Sequence, residues 1–184
     1  ERKFRGSGPA NFAVRPYPSQ WQRHIEVKDG WRVFVRPIRP EDEALLHDLV
    51  GHMTQEDLRR RFLAPIRALS HQLAARMTQI DYDREMALVA IHRGTVLGIA
   101  RYFADPDRLQ AEYAVAVRSD WKGRGVGYAL MQRLIEIARQ YGIGELVGDV
   151  LRENEPMLAM CRELGFVIHA DPNDAALVQV RKKL

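Results

Sequence analysis

From residue 31 onward, two hydrophobic rhythms take turns along the chain. Short runs in which apolar and polar residues trade places, or in which apolar residues cluster, predict strands at 31–37, 86–92, 95–103, 109–118, 145–151, 166–169 and 176–180. Between them, apolar residues recurring every third or fourth position predict helices at 41–52, after Thr54, after Ser70, across 130–141 and after Asn154. Thr54 with Asp57 three residues on has the spacing of a capping box, and Arg93-Gly94 between the second and third strands is a hairpin signal. Strands outnumber helices and hairpins fall at both ends, which predicts an α+β fold with a mixed sheet and helices on both sides.

One stretch carries chemistry. Residues 115–127 read Val-Ala-Val-Arg-Ser-Asp-Trp-Lys-Gly-Arg-Gly-Val-Gly, an apolar strand running into a basic, glycine-punctuated turn and then into a helix. Glycines at 123, 125 and 127 lack the Cβ atoms that would keep backbone N–H groups from a ligand, and the helix aims its positive end at the same place. A pyrophosphate suits such a turn, with Lys122, Arg124 and Arg118 adding charge around it. The turn lacks the Gly-Lys-Ser/Thr of a P-loop and the G-x-G-x-x-G spacing of a dinucleotide site. Behind it, Leu130, Met131, Leu134, Ile137, Ala138 and Tyr141 form the core stripe of the helix. Upstream, alternation puts Tyr113, Val115 and Val117 on one side of the strand and Glu112, Ala114 and Ala116 on the other. Glu112 is thus a carboxylate projecting beside small residues.

The turn resembles the Q/R-x-x-G-x-G/A segment of the GNAT acyl-CoA-dependent N-acetyltransferases, with Lys122 in the Gln/Arg place and Gly125 and Gly127 in the glycine places. Residues 154–166, with an Asn154 cap, Pro156 in the first turn and a Leu164-Gly165-Phe166 end, are similar to a second segment of that family. The family often has a tyrosine acid four residues before that glycine, where this chain has Cys161. Residues 80–90, Glu112-Tyr113-Ala114-Val115 and Val117-Arg118-Ser119-Asp120 resemble the acetyltransferase domain of bacterial Pat-type protein lysine acetyltransferases, in which a GNAT domain is fused to a region like an ADP-forming acyl-CoA synthetase. The likeness runs from about Val33 to Lys183.

The resemblance implies a GNAT-like, mostly antiparallel sheet of about seven strands and acetyl-CoA as cosubstrate, without a metal. It implies a coenzyme site at Val115, Ala116, Val117, Lys122, Gly123, Arg124, Gly125, Val126, Gly127, Tyr128 and Asn154, and Glu112 as general base. A strand N–H near Val115 would face the developing oxyanion. On the acceptor side stand Tyr82 and Asp83, in an acidic stretch with Asp81 and Glu85 that would attract a cationic surface. The implied partner is a protein bearing a reactive lysine, such as an AMP-forming acyl-CoA synthetase. A GNAT acting on a small amine and a non-catalytic acyl-CoA sensor are the alternatives.

Composition narrows the remainder. Hydrophobic residues make up 46% and charged residues 28%, as in an ordinary globule with one core. No apolar run nears the roughly 20 residues that cross a bilayer and no leader opens the chain, so no membrane partner and a cytoplasmic location are expected. Cys161 is alone and reads as a core residue, and the six histidines show no metal-ligand spacing. Residues 1–30 hold six basic residues against three acidic ones, three of the net four positive charges, and read as a linker and docking segment before an acetyltransferase domain at 31–184. With the net charge concentrated there, nucleic acid is not an expected ligand, and Arg59-Arg60-Arg61-Phe62 reads as a solvated helical face.

Overall fold

The computed structural model describes residues 16–184, so the first half of the expected linker, residues 1–15, lies outside the described residues. The elements run β1 (Arg23–Glu26), β2 (Arg32–Pro37), α1 (Glu43–Gly51), α2 (Gln55–Phe62), α3 (His71–Thr78), β3 (Glu85–His92), β4 (Thr95–Ala104), β5 (Gln110–Val117), α4 (Val126–Gln140), β6 (Glu145–Leu151), α5 (Glu155–Glu163), β7 (Val167–Ala170) and β8 (Leu177–Lys183). They form one eight-stranded sheet in the order β1-β2-β3-β4-β5-β6-β8-β7, antiparallel throughout except where β5 meets β6.

The sheet has one strand more than the seven expected. Residues 23–26 pair with β2, and Trp21 and Val27 beside them are buried in the core. Residues 16–30 are therefore built into the fold, because the apolar bodies of Trp21 and Val27 give that stretch something to bury. Local chemistry sets the other joints as expected. Arg93 and Gly94, both with positive φ (48° and 75°), turn the β3–β4 hairpin in the left-handed conformation that such tight turns need. Thr54, Ser70 and Asn154 cap α2, α3 and α5 by accepting from backbone N–H groups three residues on.

Each face of the sheet buries its own core. On one side α4 and α5 pack against Met86, Leu88, Leu97, Ala100 and Tyr102, with Leu130, Met131, Leu134 and Ile137 of α4 fully buried. Each such side chain contributes about 1.5–3 kcal/mol by leaving water, which fixes α4 across the strands. On the other side α1, α2 and α3 cover Ala87, Val89, Val96 and Ile99.

The feature that positions a site is where the sheet comes apart. β5 and β6 pair in parallel only from Gln110–Glu112 to Glu145–Val147. Past that seam the strands diverge, and the far edge of β5 loses its partner.

Candidate active site

The divergence leaves a hydrogen-bonding edge exposed inside the protein. Arg118 N–H donates to Leu97 O on β4, and strand alternation then turns residues 114 and 116 toward β4 and Val115 and Val117 toward the gap. An extended ligand arm laid along β5 would meet N–H and C=O groups already spaced for it. The gap opens into a cleft of about 690 Å³ that runs from Val115, past the glycine turn, to the space between α4 and α5.

At the bend of the cleft the turn delivers α4. Gly125, with φ at +83°, is the N-cap, and no side chain caps the helix. The first N–H groups of α4 have no acceptor within the helix and are free for an anion. Space is tight around the backbone: a Cβ on Gly127 would stand 3.3 Å from Val117 Cγ2, and one on Gly125 would stand 3.5 Å from Lys28 Cγ. Lys28 N–H donates to Arg124 O, so the segment after β1 holds the turn from outside.

The turn is also tied to α2. Lys122 Nζ lies 2.6 Å from Asp57 Oδ1, and Ser119 Oγ donates to Asp57 Oδ2 at 2.6 Å. Burial works to raise the Asp57 pKa, but Lys122, Ser119 and Thr54 together hold it below the usual carboxylate range. The Asp57 carboxylate is thereby drawn away from the capping-box role that its spacing suggested. Thr54 N–H donates instead to Ser119 Oγ.

All of the expected coenzyme residues except Arg124 line the cleft. The Arg124 guanidinium stacks 4.3 Å over the Trp121 ring, a cation–π contact that turns it outward. Arg118, the third cation expected near the phosphate, is spent on Asp120 and Asp48. Lys122 is the cation that remains in the cleft among the three.

A second cavity, of about 200 Å³, sits on the other side of the gap. Its floor is Glu112 to Val115 of β5 with Asp149 and Val150 of β6, and its wall is Arg60 to Leu63 at the end of α2. Glu112 is exposed there. Because Glu112 pairs with Val147, Asp149 two residues on falls on the same face, which brings a second carboxylate to the cavity. Arg60, Arg61, Val115, Asn154 and Met157 line both cavities and mark their junction.

The arginine run is therefore a site wall, where a solvated helical face was expected. Burial pushes the Arg61 guanidinium down to about 10, with Arg101 adding in the same direction and Glu112 opposing. Tyr82 and Asp83 come to neither cavity. The Tyr82 hydroxyl donates to Ile38 O, and Asp83 pairs with Arg108 at 3.0 Å. Cys161 also lines neither cavity. It faces the Tyr113 hydroxyl at 3.2 Å inside the core, where burial pushes its thiol up.

Sequence reasoning missed Asp57, Arg60, Arg61 and Asp149 as site residues. Asp149 was findable once β6 was placed parallel to β5, but nothing in the linear pattern tells where α2 ends against the sheet. Among the described residues no group of three or more His, Cys, Asp or Glu could hold a metal ion, and no helix is long and apolar enough to cross a membrane.

The chain is similar to known proteins over most of its length. Acetyltransferase PA5475 of Pseudomonas aeruginosa is 34% identical over 156 residues, which are 83% of this chain and 84% of that protein. Acetyltransferase Pat of Mycolicibacterium smegmatis is 31% identical over 147 residues, 78% of this chain, although the matched part is only 44% of Pat. The crystal structure of the GNAT domain of S. lividans PAT superposes with a TM-score of 0.86 at 27% identity, covering 92% of this chain and all of that one. With the profile of the Acetyltransferase (GNAT) family also matching residues 44–166, the chain belongs to that family and is an acyl-CoA-dependent N-acetyltransferase.

Proposed function

We propose that this domain, residues 31–184 together with the strand before them, transfers an acetyl group from acetyl-CoA to a lysine side chain of a protein. The proposed target is an AMP-forming acyl-CoA synthetase, and the proposed location is the cytoplasm. The observation that carries the proposal is Glu112, an exposed carboxylate on the floor of the small cavity, on the same strand as Val115, where that cavity meets the large cleft. Likeness to the PAT domain over nearly the whole chain supports a protein acceptor.

The cradle fits an acyl-CoA. The free N–H groups at the start of α4 and Lys122 suit its pyrophosphate, and the unpaired edge at Val115 and Val117 suits the pantetheine arm. When bound, acetyl-CoA supplies the thioester. The protein must supply a deprotonated amine, since a lysine ammonium has a pKa of about 10.4. Glu112 takes that proton, directly or through one water, and the nitrogen lone pair is then free to attack the acyl carbon. The outward N–H of Val115 stands where charge gathers on the acyl oxygen. The C–S bond breaks, and the leaving thiolate takes its proton from water or from the positively charged nitrogen of the tetrahedral intermediate, because Cys161 is out of reach in the core.

Incubating the protein with radiolabelled acetyl-CoA and a panel of AMP-forming acyl-CoA synthetases tests the assignment. Label on a synthetase lysine, absent with Glu112→Gln, is expected. Label appearing only on free amines would shift the acceptor to a small molecule.

A further inference from the structure

The small cavity carries opposite charges on opposite walls. Glu112 and Asp149 rise from the sheet floor, while Arg60 and Arg61 face them from the end of α2. Behind them Arg101 on β4 shares the sheet face of Glu112, through the pairings Arg101 with Ala114 and Phe103 with Glu112. The five charges do not cancel in pairs. Arg60 reaches Glu56 and Asp57, Arg101 lies 4.0 Å from Glu85, and Arg61 has no ion pair or hydrogen bond among the described residues. Its guanidinium lies 4.7 Å from the centre of the neighbouring Phe62 ring.

Behind the cavity Arg101 Nη1 is buried without a hydrogen-bond acceptor, while Arg60 Nε lies 3.3 Å from Glu56 Oε1. Unpaired buried donors are costly, and the Arg61 guanidinium, with no acceptor of its own, makes a place where an anion lowers the energy. A guanidinium presents its donors in a planar fork that matches a carboxylate.

We propose that Arg61 binds a carboxylate carried by the acceptor, while the acceptor's amine lies at Glu112 and Asp149. The acceptor is then recognised as an amine and a carboxylate, each met by the opposite charge within one cavity. Asp149 holds the ammonium as it enters, and Glu112 removes its proton. The carboxylate belongs either to the lysine residue itself, as at a chain end or in the free amino acid, or to an acidic residue next to it. The inference rests on the proposed lysine acceptor and adds what must accompany that lysine.

Four acceptors differing only in charge test this. Nα-acetyl-L-lysine keeps its carboxylate and Nα-acetyl-L-lysine methylamide has none. The blocked dipeptides acetyl-Glu-Lys-amide and acetyl-Gln-Lys-amide move the charge to a neighbouring side chain. Within one of these pairs the charged acceptor is expected to show about tenfold or greater advantage in kcat/KM, carried by KM. The pair that shows it names the source of the carboxylate. Arg61→Gln should erase the advantage, and Arg61→Lys should keep part of it, since the ammonium retains charge and loses the fork.

Equal turnover within both pairs overturns the proposal, and so does an Arg61→Gln variant that retains the advantage. A loss of acetyl-CoA affinity in Arg61→Gln that accounts for its whole effect also overturns it, by assigning the arginine to the coenzyme. A synthetase labelled by the enzyme serves as the control. If it is labelled and the small acceptors are equal or inert, the carboxylate assignment fails and the lysine acceptor stands. If neither it nor any small acceptor is labelled, the lysine acceptor fails and the carboxylate falls with it.

Discussion

The large cleft and the small cavity meet at Val115 and are made from opposite materials. The cleft is lined around the glycine turn by backbone: glycines, the open end of α4 and the free edge of β5, with Lys122 beside them already held by Asp57. The small cavity is lined by side-chain charge, two carboxylates against two arginines. Backbone groups recognise what every acyl-CoA shares, since a pyrophosphate and an extended arm ask only for N–H groups in the right places. Side-chain charge suits what differs between the proposed acceptors, and one substitution can change it.

The sharpest way to break this contrast is to put a side chain into the backbone-lined region. Gly125→Glu forces a side chain onto a residue with φ at +83° and places a negative charge beside the anion cradle. Like charges about 4 Å apart repel by about 4 kcal/mol near a protein surface, so acetyl-CoA affinity measured by calorimetry should fall a hundredfold or more. Unchanged affinity in a folded variant would show that the cradle is elsewhere.

Glu112→Gln strikes the other cavity. Shape is kept and the proton acceptor is lost, so kcat should fall about 10²–10⁴-fold with acetyl-CoA affinity intact. Its pH–rate profile should climb toward high pH, where free amine no longer needs the base. A profile parallel to wild type would remove Glu112 from that role.

The floor of the small cavity, which includes Tyr113, can be tested through stability. A Cβ on Gly148 would come within 2.6 Å of the Tyr113 ring, which must then shift. Gly148→Ala should cost about 1–3 kcal/mol in urea unfolding, in the overpacking range. Cys161→Ala, on the other side of the same ring, should slow turnover less than about tenfold, below the range of a lost general acid. A collapse of turnover with the fold intact would give the thiol a chemical task.

The smallest effect concerns the Asp57 link between the two regions. Its folded-state pKa lies below the unfolded value of about 3.9, so its contribution to stability is complete above that value and is lost as pH falls through the folded pKa. Acid unfolding of Asp57→Asn should be shallower than that of wild type below about pH 4. Identical curves would mean that the link adds nothing.

The contrast also governs what the sequence could say. The proposed coenzyme cradle is contiguous, strand into turn into helix, and nearly all of the residues from Val115 to Tyr128 that line the cleft could be named from their order. Glu112 followed from alternation on the same strand. The acceptor wall is assembled from α2, β5, β6 and α5, and its composition depends on where α2 stops and on how far β5 and β6 stay paired. No periodicity encodes that. Arg60 and Arg61 therefore looked like solvated charge, while Tyr82 and Asp83 looked like an acceptor surface because acidic residues cluster there in sequence. The eighth strand escaped because four residues are too few to show a rhythm, with Trp21 and Val27 as its remaining sign.

A seam of three paired residues joins β1–β5 to β6–β8, and a joint that short is compliant. Fewer backbone pairs hold the sheet at Glu112 and Val147 than at its other strand junctions. Amides of β3 and β4, bonded on both sides, will exchange with deuterium only when the molecule unfolds. The outward amides of Val115 and Val117 will exchange far sooner in the empty protein. An arm laid along them would splice the two parts of the sheet together, so one ligand would slow exchange on both sides of the seam and stiffen the domain it joins.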